Sequence, residues 1–362
     1  MKVAIDISSI IYGTGVSVYT RNLVETLHKI DKRDSFILFG GSLRRRYELT
    51  TFLSSFKGER MQSKVFPIPP TLADFIWNKL HIINIEKLIG GVDVFHSSDW
   101  TQPPSNAFNV TTIHDLVPLK YPKLSHPRIV SAHSARMKWI IKEVDRVIVP
   151  SKTTMTDSVK LGVDAEKIRV IPEAADPIFK SAKMVDVERL KRKYRISGKY
   201  LLSVGIGPRK NTERLIRSFE KIKAETGMKL VIVGHKYVDT GQERGVIYLG
   251  HVSQIEMPIL YSGAEAFTYP SLYEGFGLPI LEAFACKTPI VTSDFGSMKE
   301  VAGNGAVLVD PYNVESITEG IRKALNIKNT LIKKGISQIK KFSWEKTARE
   351  TLKVYQESEK SN

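Results

Sequence analysis

The hydrophobic pattern along the chain alternates short runs rich in valine, isoleucine and leucine with longer segments of helical apolar spacing. Residues 2–8 form the first such run, and a helical pattern at 15–30 follows it. Most runs lack polar alternation, which is typical of strands buried on both faces. Strands alternating with helices favour parallel sheets of the α/β class. Further strands are predicted at 35–40, 92–98, 110–115, 146–151, 200–205, 229–235, 245–250, 266–271, 289–294 and 306–311, and further helices at 212–225, 279–286 and 314–326.

The alternation is interrupted between about 172 and 199, where prolines and one charged helical stretch occur without a strand pattern. The chain has 362 residues, which is too long for one ordinary hydrophobic core. We therefore predict two doubly wound Rossmann-like α/β domains, 1–173 and 174–342, that face a central cleft. A serine-capped helix at 343–360 is expected to pack back on the first domain.

Ligands of open α/β sheets bind beyond the carboxyl ends of the strands, so candidate site residues are sought in those loops. Gly13 and Gly15 follow the first strand and precede a helix. There the backbone can approach a ligand and the helix start favours an anion, unless the loop is a plain tight turn. His114 ends the strand at 110–115. Its imidazole can bind sugar hydroxyls or phosphate or relay a proton; the alternative is a cap on the next helix.

Two cations open a helix in the loop after the strand at 200–205. Arg209 and Lys210 follow two glycines and precede the helix at 212–225. Free backbone N–H groups, the positive end of the helix dipole and two side-chain charges then converge, which is typical of a diphosphate site. The alternative is two solvated charges, which the helix dipole disfavours at this end of a helix.

Two glutamates bracket a glycine-rich turn in the stretch EGFGLPILE. Gly275, Gly277 and Pro279 argue against one continuous helix, and the proline suits the first turn of a helix that begins there. Glu274 then lies on the loop and Glu282 lies one turn into the helix. Two separated carboxylates can hold the hydroxyl groups of a sugar joined through diphosphate to a nucleoside. The alternative is that the glutamates act as a helix cap and a helix-surface charge.

As a set, these stretches resemble the retaining GT-B glycosyltransferases of family 4. The stretch PSLYEGFGLPILEAFACKTPIVTSDFGSMKEVAG contains their E-x7-E motif, and the loops with Gly15, His114 and PRKN resemble the family's other loops in the same order. TGxxxY in the first loop and PRKN in the third resemble the branch rich in mannosyltransferases. One departure is PEAAD at 172–176, where Pro-Asn-Gly-x-Asp is commoner, and it suggests a different bend at the domain junction.

The resemblance implies a role for each candidate residue. Glu282 would bind the ribose hydroxyls, and Glu274 would hold the donor sugar near its 3-hydroxyl or stabilise charge on the ring. Arg209 and Lys210 would neutralise the leaving diphosphate. The backbone of Gly15 would contact the diphosphate, and His114 would contact the donor sugar or the reacting face. The backbone amides of Phe276, Gly277 and Leu278 would orient the sugar and the phosphate.

The resemblance also implies a reaction, the transfer of a mannose- or glucose-type hexose from a nucleoside diphosphate sugar with retained anomeric configuration. The first domain would bind the acceptor, a growing glycan or lipid-linked saccharide in surface polysaccharide synthesis, and the second the donor, with GDP-mannose favoured over UDP sugars. The sequence contains no D-x-D pair, so we expect a metal-independent reaction without a cofactor. The alternatives are a non-catalytic nucleotide-sugar-binding subunit of a glycan synthesis complex and a GT-B sugar-nucleotide epimerase.

The net charge of +16 favours anionic partners such as phosphorylated molecules or anionic lipid. Zinc-finger spacing and interleaved aromatic and basic residues are both absent from the sequence, so nucleic acid is not expected. The basic segment 42–58 contains apolar residues and is compatible either with an anionic membrane surface or with a solvated helix. No apolar run is long enough to span a membrane, and the signal-peptide pattern is absent. We expect a cytoplasmic protein, peripheral on the inner face of the membrane.

Overall fold

The computed structural model describes residues 1–56, 58, 60–234 and 244–360. These residues form two compact units. The first unit contains Met1–Glu173 together with the segment that begins at Ser343, and the second unit is Ala174–Phe342. Each unit is built around its own parallel sheet.

In the first unit, the described strands are β1 (Lys2–Asp6), β2 (Ser35–Gly41), β3 (Met61–Phe66), β4 (Val94–Ser97), β5 (Phe108–Thr112), β6 (Arg146–Val149) and β7 (Ile168–Val170). They are hydrogen-bonded in the order β3-β2-β1-β4-β5-β6-β7, so the winding reverses between β1 and β4. This reversal is the switch point at which doubly wound sheets bind ligands.

In the second unit, the described strands are β8 (Tyr200–Val204), β9 (Lys229–Val233), β10 (Val246–Gly250), β11 (Ala266–Tyr269), β12 (Ile290–Ser293) and β13 (Val307–Val309). Their order is β10-β9-β8-β11-β12-β13, with the reversal between β8 and β11. The predicted doubly wound α/β class is therefore confirmed for both units.

In the described part of the first unit before Ser343, the α-helices are α1 (Gly15–Ile30), α2 (Arg46–Leu53), α3 (Pro70–Ala73), α4 (Glu86–Ile89), α5 (Val117–Lys120), α6 (Pro127–Glu143) and α7 (Lys152–Lys160). Those of the second are α8 (Met184–Lys193), α9 (Thr212–Thr226), α10 (Met257–Gly263), α11 (Leu278–Ala285), α12 (Gly296–Ala302), α13 (Val314–Asn326) and α14 (Lys328–Ile339). The last helix, α15 (Trp344–Gln356), packs on α1 in the first unit. Serine and asparagine side chains cap several of them, as Ser343 does when it accepts the Lys346 N–H of α15.

Neighbouring residues on the strands of the second sheet alternate between two apolar cores. Leu201 and Ala266 belong to one core, whereas Leu202 and Phe267 belong to the other. Because successive side chains of a strand point to opposite faces, this sheet is buried on both faces. That burial explains why its strands appear in the sequence as continuous apolar runs.

The sequence pattern failed to predict the two edge strands of the first sheet. β3 exposes Gln62, Ser63 and Lys64, since an edge strand of this sheet is not covered on both faces. β7 has only three residues, and Arg169 at its centre pairs with Glu357 at 2.7 Å. The helices α3 to α7, α10, α12 and α14 were also not predicted. The predicted strand at 229–235 ends at Val233 in the structure, and the last residue of that prediction, at 235, lies outside the described residues.

The C-terminal segment completes the core of the first unit. Tyr355 is buried and its hydroxyl lies 2.7 Å from Nδ1 of His96, a residue of β4. The hydroxyl of Thr347 donates to the carbonyl oxygen of Pro172 at 2.7 Å. The helix α15, near the end of the described chain, therefore supplies a side chain to a sheet whose strands lie between Lys2 and Val170.

The helices α11 and α14 of the second unit pack closely against each other. Gly335 of α14 lies against the ring of Phe284 on α11, which is buried. A Cβ atom at Gly335 would come within 2.5 Å of Cδ1 of Phe284. The absence of a side chain at Gly335 is therefore a packing requirement.

We expect Gly335→Ala to destabilise the protein by about 1–3 kcal/mol through overpacking. In an uncrowded helix, the same Gly→Ala change is expected to raise the free energy of unfolding by up to about 1 kcal/mol. Urea unfolding measures the difference, with Gly91→Ala as a control because a Cβ atom there has no neighbour within 4 Å. Adding Phe284→Leu should recover part of the loss. Unchanged or raised stability in Gly335→Ala would contradict the packing argument.

Candidate active site

The loops that follow β8 and β11 meet at the switch point of the second sheet. The first of these loops contains Arg209 and Lys210, and the second contains Glu274. β8 and β11 are neighbours in the sheet although two other strands separate them in sequence. The topology thereby brings together three of the residues that the sequence predicted.

Arg209 and Lys210 share one carboxylate. Nη1 of Arg209 lies 2.6 Å from Oε2 of Glu274, and Nζ of Lys210 lies 2.7 Å from Oε1. Lys210 also donates to the hydroxyl of Tyr269 at 2.6 Å. Burial raises the pKa of Glu274, but the charges and hydrogen bonds of Lys210 and Arg209 outweigh it and hold the pKa at about 2. The carboxylate is therefore ionised throughout the physiological range.

Two residues of the loop after β8 fix the position of Lys210. Gly205 has a φ of 87°, and a Cβ atom there would lie 2.8 Å from Cε of Lys210. A glycine at 205 therefore lets the lysine stem lie against the backbone. Asn211 is buried, and its side-chain amide donates to the carbonyl oxygens of Pro270 at 3.1 Å and Pro311 at 2.6 Å. The hydrogen bond to Pro270 ties the cationic loop to the loop that contains the glutamate.

Glu282 lies one turn into α11, as the sequence predicted. Gly277 precedes the helix with a φ of 110°, and Pro279 lies in its first turn. The hydroxyl of Tyr261 donates to Oε2 of Glu282 at 2.8 Å. Burial raises the pKa of Glu282 to about 7, although the hydrogen bond from Tyr261 and the charge of Lys210 act in the opposite direction. The side chain is therefore close to half protonated at neutral pH.

Backbone N–H groups at the start of α11 complete this group of polar atoms. Within the described part of the chain, the N–H groups of Phe276, Gly277 and Leu278 donate no hydrogen bond. The ring of Phe276 is buried, with its centroid 6.0 Å from that of Phe342. Its side chain therefore belongs to the core, and the backbone is what remains for ligand contact. The hydroxyl of Ser297 donates to the carbonyl oxygen of Glu274 at 2.7 Å and anchors the loop.

His114 lies in the first unit, just beyond the carboxyl end of β5. Nδ1 of its ring lies 2.8 Å from Oε1 of Glu173, and the ring of Tyr19 meets it edge-on at 4.5 Å between centroids. Burial lowers the pKa of His114, but the hydrogen bond and charge of Glu173 outweigh burial and raise it. Because the carboxylate accepts at Nδ1, that nitrogen bears a proton. Nε2 is the ring atom left for a substrate.

Gly15 also lies in the first unit, where it is the exposed first residue of α1. The cap of this helix is reciprocal, since the N–H of Thr14 donates to Oγ of Ser17 at 3.1 Å. Tyr19, on the next turn, lines the same small cavity as His114. Gly15 and His114 thus belong to one unit and the other candidates to the second, and the roles assigned to all of them stay predictions.

Sequence reasoning missed several residues that hold these groups in place. The sequence did contain a signal for Glu173, because this residue stands where the commoner Pro-Asn-Gly-x-Asp stretch has asparagine. Tyr19 is the tyrosine of the TGxxxY motif, so the sequence contained a signal for it as well. Tyr261 and Tyr269 had no such signal, because they occur in apolar segments that resemble ordinary core. Among the residues that the structure describes, no group of three or more histidine, cysteine, aspartate or glutamate side chains is arranged to hold a metal ion.

Two family models match the chain. Residues 13–178 match the model described as Glycosyltransferase Family 4, and residues 186–342 match Glycosyl transferases group 1. The two matches correspond closely to the first and second units. The E-x7-E stretch and the cationic loop both fall within the second match.

Curated relatives agree with the family models. The O-antigen chain mannosyltransferase B of Escherichia coli is 30% identical over 289 residues, which cover 72% of this chain and 74% of the relative. The O-antigen chain mannosyltransferase RfbU of Salmonella typhimurium is 32% identical over 222 residues, which cover 58% of this chain and 59% of the relative.

Solved structures share the fold. The sucrose-phosphate synthase from Thermosynechococcus elongatus superposes with a TM-score of 0.73 at 19% identity, over 100% of both chains. Anabaena HepE, solved in complex with UDP and glucose, gives 0.67 at 16% identity over 98% of this chain and 99% of HepE. With the E-x7-E stretch on the loop and helix of the second unit, these matches identify the chain as a family 4 glycosyltransferase of the GT-B fold, similar in sequence to the mannosyltransferases of that family.

Proposed function

We propose that this glycosyltransferase moves a mannosyl group from GDP-mannose to a hydroxyl of a growing glycan in surface polysaccharide synthesis, with retention of the anomeric configuration. The observation that carries the proposal is the pairing of Arg209 and Lys210 with Glu274 at the switch point of the second sheet. The mannosyl part is supported by relatives named as O-antigen mannosyltransferases.

The charges of the second unit suit a diphosphate flanked by sugars. Arg209 and Lys210 are held close together, so a diphosphate oxygen can bind both without reorganising the loop. When a phosphate group replaces Glu274 as the partner of Arg209 and Lys210, the carboxylate of Glu274 becomes available to the hydroxyls of the donor sugar. Glu282, with a pKa of about 7, can accept or donate a hydrogen bond and suits the ribose diol.

The reaction then needs no protein nucleophile. Breaking the anomeric C–O bond leaves negative charge on the diphosphate and positive charge on the sugar ring. Arg209 and Lys210 stabilise the first charge and Glu274 the second. The incoming hydroxyl attacks from the face that the diphosphate leaves, gives its proton to a phosphate oxygen, and so retains the configuration. Since the two side chains supply the positive charge, we propose that the reaction does not need a divalent metal.

His114 and Glu173 act together in this scheme. The carboxylate fixes the tautomer and orientation of the imidazole, and it raises the pKa of His114. A ring held in this way presents Nε2 to a hydroxyl of the transferred sugar. Glu173 is therefore a positioning residue, and its effect on the reaction passes through the protonation of His114.

We also propose that the protein binds the cytoplasmic surface of an anionic membrane near the loop before α2. The exposed side chains there include the apolar Leu43 and Tyr47, the latter 82% exposed, and the cationic Arg44 and Arg46, beside the exposed ion pair of Arg45 and Glu48. The apolar side chains of α2 itself, Leu49 and Phe52, are buried, so the loop and the exposed side of the helix start face the solvent. The predicted membrane segment 42–58 also includes residue 57, which lies outside the described residues. In the described ranges, no helix combines the length and hydropathy that crossing a bilayer requires.

Purified protein should release GDP slowly from GDP-mannose and continue to do so in excess EDTA. Lys210→Met should lower this rate about 100-fold or more, because a fixed charge on the leaving group is lost. Lys221→Met is the control, since Lys221 forms an exposed ion pair with Glu315 elsewhere in the same unit. Binding without turnover would favour a non-catalytic subunit. Stronger thermal stabilisation by UDP-glucose than by GDP-mannose would contradict the proposed donor.

Glu173→Gln should lower the pKa of His114 and move the limb of the pH–rate profile that depends on this histidine to lower pH. The stability that the pair contributes is complete below the ordinary histidine pKa of about 6.5 and is lost as pH rises through the raised value. The loss of melting temperature in Glu173→Gln should therefore be greatest near pH 6 and shrink above the raised pKa. Glu143→Gln, which breaks the 2.6 Å contact with His81, is the matched control. A profile that does not move would refute the positioning role.

The protein should float with vesicles that contain phosphatidylglycerol at low salt and be released as salt rises, since screening weakens surface attraction. Replacing Arg44 and Arg46 together by glutamate should abolish flotation. The same double change at Arg189 and Arg192, exposed on α8 of the second unit, is the control. Equal losses in the two double variants would point to general charge rather than to a surface near α2, and absence of flotation in the parent protein would disprove membrane binding.

A further inference from the structure

We infer that the side chain of Glu274 is an internal competitor for the diphosphate of the substrate, and that this competition makes the second unit select the complete nucleotide sugar over the nucleoside diphosphate left after transfer. This inference rests on the proposed function and gives the glutamate a second role, in substrate discrimination and product release. The residues that carry it all belong to the second unit.

Each oxygen of the Glu274 carboxylate is in contact with a different cation. Oε2 lies 2.6 Å from Nη1 of Arg209, and Oε1 lies 2.7 Å from Nζ of Lys210. The oxygens of a diphosphate are also negatively charged acceptors, and they bind arginine and lysine in the same way. A diphosphate that binds Arg209 and Lys210 therefore has to compete with Glu274 for both of them.

Glu274 cannot give up its charge to make room for a phosphate. Burial raises its pKa, but the charges and hydrogen bonds of Lys210 and Arg209 outweigh burial and hold the pKa at about 2. At neutral pH a diphosphate beside these cations would thus face a full negative charge. Since like charges in a poorly hydrated site repel each other strongly, the carboxylate has to move away before the diphosphate can bind both cations.

The exchange requires only the side chain of Glu274 to move. Its carbonyl oxygen accepts a hydrogen bond from the serine hydroxyl that anchors the loop, at 2.7 Å. The guanidinium of Arg209 also donates to the carbonyl oxygen of Tyr273 at 2.9 Å. Nζ of Lys210 donates to the hydroxyl of Tyr269 at 2.6 Å. Both cations therefore keep other partners, which hold them in place when the carboxylate moves away.

A carboxylate that moves away from two cations needs new partners. The side chain of Glu274 is only 12% exposed, so water does not fully replace the two ion pairs. Hydroxyl groups of a hexose can donate hydrogen bonds to the displaced carboxylate, and the complete nucleotide sugar supplies them. A nucleoside diphosphate supplies the phosphates without these hydroxyls. Glu274 therefore disfavours the product more than the substrate, which is discrimination through an unpaired charge.

The alternative is that Glu274 serves only to hold the two loops together. In that case its removal would loosen the loops and misplace Arg209 and Lys210, and the protein would bind every anion more weakly. If Glu274 is a competitor, its removal leaves two cations without their charged internal partner and strengthens anion binding. The two explanations therefore predict opposite changes in the affinity for a diphosphate.

The test is isothermal titration calorimetry with pyrophosphate, GDP and GDP-mannose as probes. Pyrophosphate carries neither nucleoside nor sugar, so its result does not depend on which nucleotide sugar is the donor. Glu274→Gln should lower the Kd for pyrophosphate and for GDP about tenfold or more, because the internal competitor is lost. The Kd for GDP-mannose should fall less or rise, so that the preference for GDP-mannose over GDP drops at least about fivefold.

Glu315→Gln is the control, because it removes one carboxylate from the exposed ion pair with Lys221 in the same unit, and it should leave all three Kd values unchanged. Glu274→Asp keeps the charge but shortens the side chain, so it should lower the Kd for pyrophosphate about threefold. This second variant decides the question if the melting temperature shows that Glu274→Gln is not folded. Pyrophosphate binding that is unchanged or weaker in the folded Glu274 variants would overturn the inference.

Release of GDP from GDP-mannose by the parent protein separates this inference from the proposed function. If the parent protein releases GDP but the Glu274 variants bind pyrophosphate no better than the parent, only the inference fails. If the variants bind pyrophosphate more tightly but the parent protein releases no GDP, Glu274 does compete with a diphosphate and the proposed transfer reaction fails instead.

Discussion

The structure of the second unit depends on one electrostatic constraint, the placement of two cations and one carboxylate in a site that is largely shielded from water. A charge in such a place is tolerated only when it is paired, since the loss of hydration is otherwise too costly. Glu274 pairs with both Arg209 and Lys210, and this shared contact sets the course of two loops. Two cations facing one carboxylate also make this position suited to a further anion.

The sequence predicted the parts of the fold that depend on local composition. Strands buried on both faces appear as apolar runs, and the sharp turn at Gly277 and Pro279 is encoded in the residues that form it. For the same reason, the positions of the candidate residues at the strand ends could be predicted from the sequence. Parallel topology then explains why Lys210 and Glu274, which are 64 residues apart, lie side by side.

What the sequence could not predict is decided by partners far away along the chain. His114 and Glu173 are 59 residues apart, and His96 and Tyr355 are 259 apart. Nothing in the local pattern of either member indicates the other. The edge strand β3 was not predicted for a different reason. A strand that is not buried on both faces does not need a continuous apolar run, so the hydrophobic pattern did not indicate it. At α2 the sequence contains a mixture of apolar and basic residues, but it does not indicate that Leu49 and Phe52 point inward.

The return of α15 to the first unit has a consequence for synthesis on the ribosome. The chain emerges at about 5–20 residues per second, and all of Ala174–Phe342 is made before the helix that carries Tyr355 appears. Until then, the imidazole of His96 lacks its hydrogen-bond partner, the buried hydroxyl of Tyr355. The first unit cannot complete its core during this time, whereas the second unit can already fold. During synthesis, the first unit of this enzyme therefore completes its folding after the second unit, although most of it is made first.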